Sequence, residues 1–253
     1  PDKGADQEKY TIILKYPATA ISDIKKMAVQ QALETIRNRI DEFGVNEPDI
    51  RVQSGNRIVL QLPGIKDPER AKKLIGKTAQ LTFQLVNAEA DLQTALKGSP
   101  PVGYQIMYQE NEGTASDQGA KTPYLIQKRI LLDGSLLTHA RVEFDQFSQP
   151  RIGIEFNRKG ARIFERITGA NIQKRLAIIL DNKIYSAPVI QDRIAGGRAI
   201  ITGHFSLNDA TDLAIALRAG ALPAPVHIIE ERTVGPSLGA DSIRKGLISM
   251  LVG

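Results

Sequence analysis

Between Tyr10 and Val86 the apolar residues switch repeatedly between a strand period and a helix period, and a turn or cap residue stands at each switch. "YTIILKY" (10–16) is a β-prone run closed by Pro17. Ser22 is the expected N-cap of a helix whose apolar residues, Val29, Leu33, Ile36, Ile40 and Phe43, share one face. Gly44 is placed to end that helix. An extended piece with Ile50 and Val52 follows Pro48, and Ser54-Gly55-Asn56 reads as a tight turn. Ile58, Leu60 and Leu62 line one face of the next strand, which stops at Pro63-Gly64. Asp67-Pro68 is an N-cap followed by proline at the first helical position. That helix carries Ala71, Leu74 and Ile75 inward and ends at Gly76. Residues 79–86 then alternate as a half-buried strand with Leu81, Phe83 and Leu85 inward. The order is β-α-β-β-α-β, the ferredoxin-like pattern.

Residues 88–123 have a different character. A short helix is predicted near Ala90–Leu96, and the polar stretch 97–123, which includes Ser99-Pro100-Pro101, reads as a long flexible loop. Order resumes with strands predicted at 124–132 and 140–146, and another through Ile152, Ile154 and Phe156. Asn157 is a candidate cap for a helix burying Ala161, Phe164 and Ile167. "RLAIIL" (175–180) reads as a strand buried on both faces, turned by Asp181-Asn182 into "KIYSAPVI". Ser206 with Asp209 resembles a capping box, and Gly220 ends the helix that follows. "VHIIEERTV" (226–234) reads as a strand, and pattern alone makes it the last of a second β-α-β-β-α-β unit.

The chain has 253 residues, which fits one large domain or two small ones, and a charge of +5. With no cysteine, thiol catalysis, cysteine-bound zinc and disulfides are excluded. "AKKLIGKT" (71–78) ends like a phosphate-binding loop, but the required first glycine is Ala71 and a helix ends where one should begin. His139, His204 and His227 lack metal-ligand spacing. Glu230 and Glu231 are consecutive in a predicted strand and point to opposite faces, so they form no acid–base pair. The strands that could serve as a nucleic-acid platform carry no outward aromatics, which argues against nucleic acid. The residues alone therefore indicate a non-catalytic, two-module binding or mechanical protein. The apolar end "GLISMLVG" is read either as a short buried helix or as the start of a membrane helix.

Several stretches add to this reading. "IRNRIDEFGVNEPDI" (36–50), "RIVLQLPGIKDPERAKKLIGKTAQLTFQLV" (57–86), "KRLAIILDNKIYSAPVI" (174–190), "GGRAIITGHFS" (196–206) and "LRAGALPAPVHIIEERTVGPSLGADSI" (217–243) resemble the SecD family of bacterial protein-export subunits, within the resistance-nodulation-division class. The similarity is to that family's periplasmic first (P1) domain. It implies an α+β fold: a ferredoxin-like βαββαβ base at 10–87 plus 225–238, with an inserted α+β head at 88–222. The strand 226–234 then belongs to the base, and 239–253 is the approach to, and start of, a transmembrane helix. The start lacks the family's Gly-rich lead-in, which implies that native sequence precedes it.

The resemblance further implies an inner-membrane protein with this domain on the periplasmic side, no enzymatic activity and no cofactor. Implied partners are unfolded preprotein, SecF, the SecYEG channel and YajC. The head is expected to swing about two crossings, Leu85, Val86, Asn87 and Ala88 on the way out and Ala221, Leu222, Pro223 and Pro225 on the way back. Tyr185, Val189, Ile190 and Phe205 are the candidates for gripping preprotein. The competing expectation is a purely structural domain that docks SecF or other translocase subunits.

Overall fold

The computed structural model describes residues 17–87, 92–98, 100–110 and 121–232, so the expected first strand at 10–16 and the apolar C-terminal end lie outside the described residues. Helix α1 (Ala18–Phe43) begins directly after Pro17, not at Ser22. Pro17 has no N–H to satisfy and its φ of −62° closes the preceding chain, whereas Ser22 lies one turn inside the helix and is exposed. At the other end Gly44 takes φ 86°, and its N–H reaches the carbonyls of Ile40 and Asp41, each at 3.1 Å. Only a residue without a Cβ adopts that turn at no cost.

Strands β1 (Asp49–Gln53) and β2 (Arg57–Gln61) pair as an antiparallel hairpin across the expected turn. Helix α2 (Pro68–Gly76) starts as expected, with the Asp67 carboxylate accepting the Arg70 N–H at 2.9 Å. The α1 stripe of Ala32, Leu33, Ile36 and Ile40 buries itself against Ile50, Ile75 and Leu222, with Ile58, Leu60, Leu62 and Val226 closing the edges. These elements, together with the returning residues Leu222 and Val226, make the smaller of two bodies.

Strand β3 (Leu81–Leu85) was expected in the same sheet as β1 and β2. It joins instead the larger body. It runs antiparallel between β9 (Leu176–Leu180) and the short β6 (Leu132–Asp133). All five of its residues are buried, so the expected half-buried strand has both faces covered. Its six-stranded sheet has the order β5-β4-β10-β9-β3-β6, with β4 at Tyr104–Glu110, β5 at Lys121–Gln127 and β10 at Lys183–Ser186. Short helix α3 (Leu92–Lys97) lies where a helix was predicted.

Within the stretch read as a loop over 97–123, residues 104–110 and 121–123 are therefore sheet. β4 and β5 pair from Tyr104↔Gln127 to Glu110↔Lys121. Their polar composition hides the ladder, because pairing satisfies the backbone whatever the side chains are. The sheet also curls: Val86 bridges Ile126, and the Asn87 N–H reaches the Leu125 carbonyl at 2.8 Å.

A three-stranded sheet, β11-β8-β7, shares a core with the six-stranded one (β7 Leu137–Phe144, β8 Pro150–Phe156, β11 Arg198–Ile201). Helix α4 (Arg158–Ala170) is capped by Asn157, and α5 (Leu207–Ala219) by Ser206, both as expected. The core between the layers is built on Phe83, Phe156 and Phe164, whose ring centroids are 5.3–5.9 Å apart. With no Trp in the chain, this aromatic cluster supplies what the aliphatic residues cannot, about 0.5–1.5 kcal/mol per ring pair beyond burial.

Two further expectations meet the structure differently. Among the described residues β1 and β2 pair only with each other and β3 lies in the other sheet, while the expected first strand of the ferredoxin-like base lies outside the described residues. Residues 226–232 form no strand: Val226 packs on the smaller body, but Ile228 and Ile229 are exposed. A β-prone sequence becomes a strand only where a neighbouring edge is offered. The α+β class itself holds.

Candidate functional site: the junction between the bodies and the faces of the larger one

The residues expected to form the outgoing crossing are not free to bend. Leu85 and Val86 are buried, Leu85 pairs with Leu176, and the Val86 N–H donates to the Arg175 carbonyl at 3.0 Å. Asn87 is tied to β5, and Ala88 lies outside the described residues. Bending there would tear the sheet ladder. The connection between the bodies falls earlier, at Lys77–Gln80 between α2 and β3. On the return, Leu222 is buried in the smaller body and its N–H donates to the Thr78 carbonyl at 2.9 Å, so the two connections touch. Ala221, Pro223 and Pro225 are exposed beside it.

Helix α5 carries most of the interface. Its Asp212 accepts Arg70 of α2 in a forked pair, Nη2 to Oδ1 at 2.7 Å and Nε to Oδ1 and Oδ2 at 2.9 and 3.1 Å. Hydrogen bonding to Asp212 raises the Arg70 pKa above its ordinary value. The same guanidinium lies 5.4 Å from the Phe43 ring centroid. Arg218 of α5 reaches Glu42 of α1 at 2.6 Å and the Ala140 carbonyl at 3.1 Å. Leu74, Ala79, Ile215 and Ala216 fill the space between these pairs, with Phe43 at its edge. Lys72 holds Glu231 of the returning chain at 2.9 Å and Glu69 at 2.5 Å; hydrogen bonds to Glu69 first, then Glu231, raise its pKa.

At the centre of this junction lies a residue that the sequence reading passed over. Arg39 of α1 is fully buried, and its guanidinium faces backbone carbonyls only. Nη1 donates to Leu74 at 3.0 Å, to Ile75 at 3.2 Å and to Lys77, while Nη2 donates to Thr78 at 3.4 Å and Gly220 at 3.0 Å. Burial pushes its pKa down to about 10, against a raising effect of Asp181, so the group is a cation at neutral pH. The available signal was its position: Arg39 sits beside Ile36 and Ile40 on the apolar stripe, where a charge has no place unless it is paired.

Of the four candidate gripping residues, the structure brings two together. Tyr185 of β10 and Phe205, before α5, stack with centroids 5.7 Å apart and planes 16° apart, half-buried at the rim of the larger core. Ile190 is core and unavailable for a partner, and Val189 bridges Arg175. An apolar feature that the sequence reading missed is the β7–β8 turn. Phe144 and Phe147 are 55% and 73% exposed there. The Asp145 carboxylate fixes the turn by accepting the N–H groups of Phe147 and Gln149, both at 2.8 Å. Among the described residues there is no cluster of metal-ligating side chains, and no helix is long and apolar enough to cross a membrane.

Comparison with known proteins matches the chain in two parts, and β3 falls within the first of them. Residues 29–88 match the family model "Protein translocase subunit SecDF, P1 domain, N-terminal", and residues 105–224 match "SecDF, P1 head subdomain". The chain is 54% identical over 233 residues to the protein translocase subunit SecD of Magnetococcus marinus, covering 91% of this chain and 44% of that one. It is 48% identical to the SecD of Calditerrivibrio nitroreducens, covering 100% and 49%. The chain thus spans about half the length of the curated relatives it matches. A crystal structure of SecDF in a super-membrane-facing form superposes with a TM-score of 0.67 at 38% identity, over 89% of this chain and 30% of that one. A structure of a membrane component SecDF that enhances protein export superposes with a TM-score of 0.63 at 35% identity, over 87% of this chain and 96% of that one. The chain belongs to the SecD/SecDF protein translocase family and matches its P1 region.

Proposed function

We propose that this chain is the periplasmic P1 domain of an inner-membrane SecD subunit, and that it holds emerging unfolded preprotein while its larger body swings against the smaller one during proton-driven export. The observation that carries this reading is the junction. Two bodies with separate cores are joined by two short connections lying side by side, Lys77–Gln80 and Gly220–Leu222, and they meet through one helix, α5. Such a joint permits rotation about one line and little else. The hinge is proposed there, in place of Leu85–Ala88. The Tyr185–Phe205 stack is the proposed grip for apolar side chains of the preprotein. Each buried apolar side chain contributes about 1.5–3 kcal/mol, while a proton crossing the membrane supplies about 2.3 kcal/mol per 100 mV, so a grip of one or two side chains can be released in each cycle. SecF and the SecYEG channel are the proposed neighbours, with YajC a further one.

A photoreactive residue at Phe205 in the whole protein tests the grip. With a stalled export intermediate the expected product is an adduct to the preprotein; adducts only to partner subunits overturn it. Joining Glu42→Cys to Arg218→Cys with a short bis-maleimide should stop export without unfolding the domain, and normal export in the joined form defeats the swing.

One observation favours the docking alternative. Helix α4 presents Arg158, Lys159, Arg162 and Arg166, and none of these meets a carboxylate among the described residues. Cations in a first helical turn oppose the helix dipole, so an acidic face of another subunit is a suitable partner. Replacing all four by Gln should weaken subunit association and leave preprotein crosslinking intact if this face docks.

A further inference from the structure

We propose that Arg39 is a positioning residue that sets the angle between the two bodies, by gripping both connections at once while Asp181 holds the first of them from the opposite side. This rests on the reading above only for its use in export; the grip is argued from geometry.

Helices α2 and α5 end at the same place. Each helix end leaves carbonyls without intrahelical partners. Arg39 answers both sets: Leu74 and Ile75 from the last turn of α2, Lys77 and Thr78 from the outgoing connection, and Gly220 from the return. The acceptors thus come from the smaller body and from both connections, while the donor comes from α1 alone. Nε of Arg39 is buried without a partner among the described residues, so the fork is aimed at the connections and not at its own full satisfaction.

Asp181, in the β9–β10 turn of the larger body, completes the arrangement. Its carboxylate accepts the N–H groups of Ala79 at 3.1 Å and Gln80 at 2.9 Å, and its own N–H donates to the Gln80 carbonyl at 3.1 Å. The outgoing connection is therefore threaded between a cation of the smaller body and a carboxylate of the larger one. Between them Ala79 is buried with φ at 56°, a backbone state uncommon for a residue with a Cβ, and one that persists only where the surroundings enforce it. Rotating either body pulls the connection off one of its two holders. A lysine cannot take the role of Arg39, because a single ammonium lacks the planar fork that spans two chains.

Hydrogen exchange measured by NMR on this chain tests the proposal in Arg39→Lys. The junction amides of Leu222, Ala79 and Gln80 should lose about 10- to 100-fold of their protection, the size expected when hydrogen bonds to a charged group are lost. The Val86 amide, within the larger sheet, is the internal reference and should keep its protection. Asp181→Asn should loosen Ala79 and Gln80 more than Leu222. Wild-type protection at the junction in Arg39→Lys overturns the proposal. So does equal loss at the junction and at Val86, since that marks a residue of general stability. If Arg39→Lys does not fold, the proposal stands or falls on the Asp181→Asn pattern. Export by the whole protein carrying Arg39→Lys is scored separately: a loosened junction with unchanged export leaves the grip standing and defeats the moving-body reading.

Discussion

The two bodies solve the same problem with different means. The larger has sheet on sheet, helices α4 and α5 and a Phe cluster, and its core draws on strands from Leu81 to Ile201 and on both of those helices. The smaller has one helix stripe laid on a two-stranded hairpin, and it borrows Leu222 from the chain returning out of the other body. A two-stranded hairpin is marginal alone. The difference teaches that the smaller body owes its order to the junction. Its Arg39 and Leu222 make joining and folding the same event, whereas the larger body needs nothing from its neighbour to fill its centre.

Substitutions can break or sharpen this contrast. The largest effect is expected from Phe83→Ala, about 3–5 kcal/mol from cavity formation in the larger core, read by chemical denaturation. It should lower the stability of both bodies together, and a smaller body that outlives the larger would contradict the dependence. Leu222→Ala is expected to cost about 2–4 kcal/mol, but with loss of protection confined to α1, β1 and β2. Matching loss in β9 would erase the distinction between the bodies. Asp212→Asn, which breaks the forked pair with Arg70, is expected to cost roughly 1–2 kcal/mol because the pair is only partly shielded. A double-mutant cycle with Arg70→Met isolates that coupling. Smallest is Glu42→Gln, at about 0.2–1 kcal/mol. Its effect should fade in high salt, since both partners of the Glu42–Arg218 pair are about one-third or more exposed.

Much of the chain was legible residue by residue. Gly44, Asp67, Asn157, Ser206 and Gly220 stand at helix ends as their chemistry requires. Strands β8 and β9 match their apolar patterns. The errors share a cause. Ser22 looked like a cap but Pro17 came first. The stretch 97–123 looked like a loop because β4 and β5 earn their order from each other. Residues 226–232 looked like a strand but meet no open edge among the described residues. Of the grip candidates, Tyr185 and Phe205 meet across 20 positions of sequence, while Ile190 lies in the core.

What the sequence determined by itself is the set of helices, most of the strands, and the family. Caps, turns and periodicity act over a few residues, and those residues are adjacent in the chain. Only the tertiary structure decided which sheet β3 would enter, where the two bodies part, and what Arg39 holds. Strand pairing and the burial of a charge depend on partners far away in sequence, here Leu176–Leu180 for β3 and Gly220 for Arg39, and no local pattern names them.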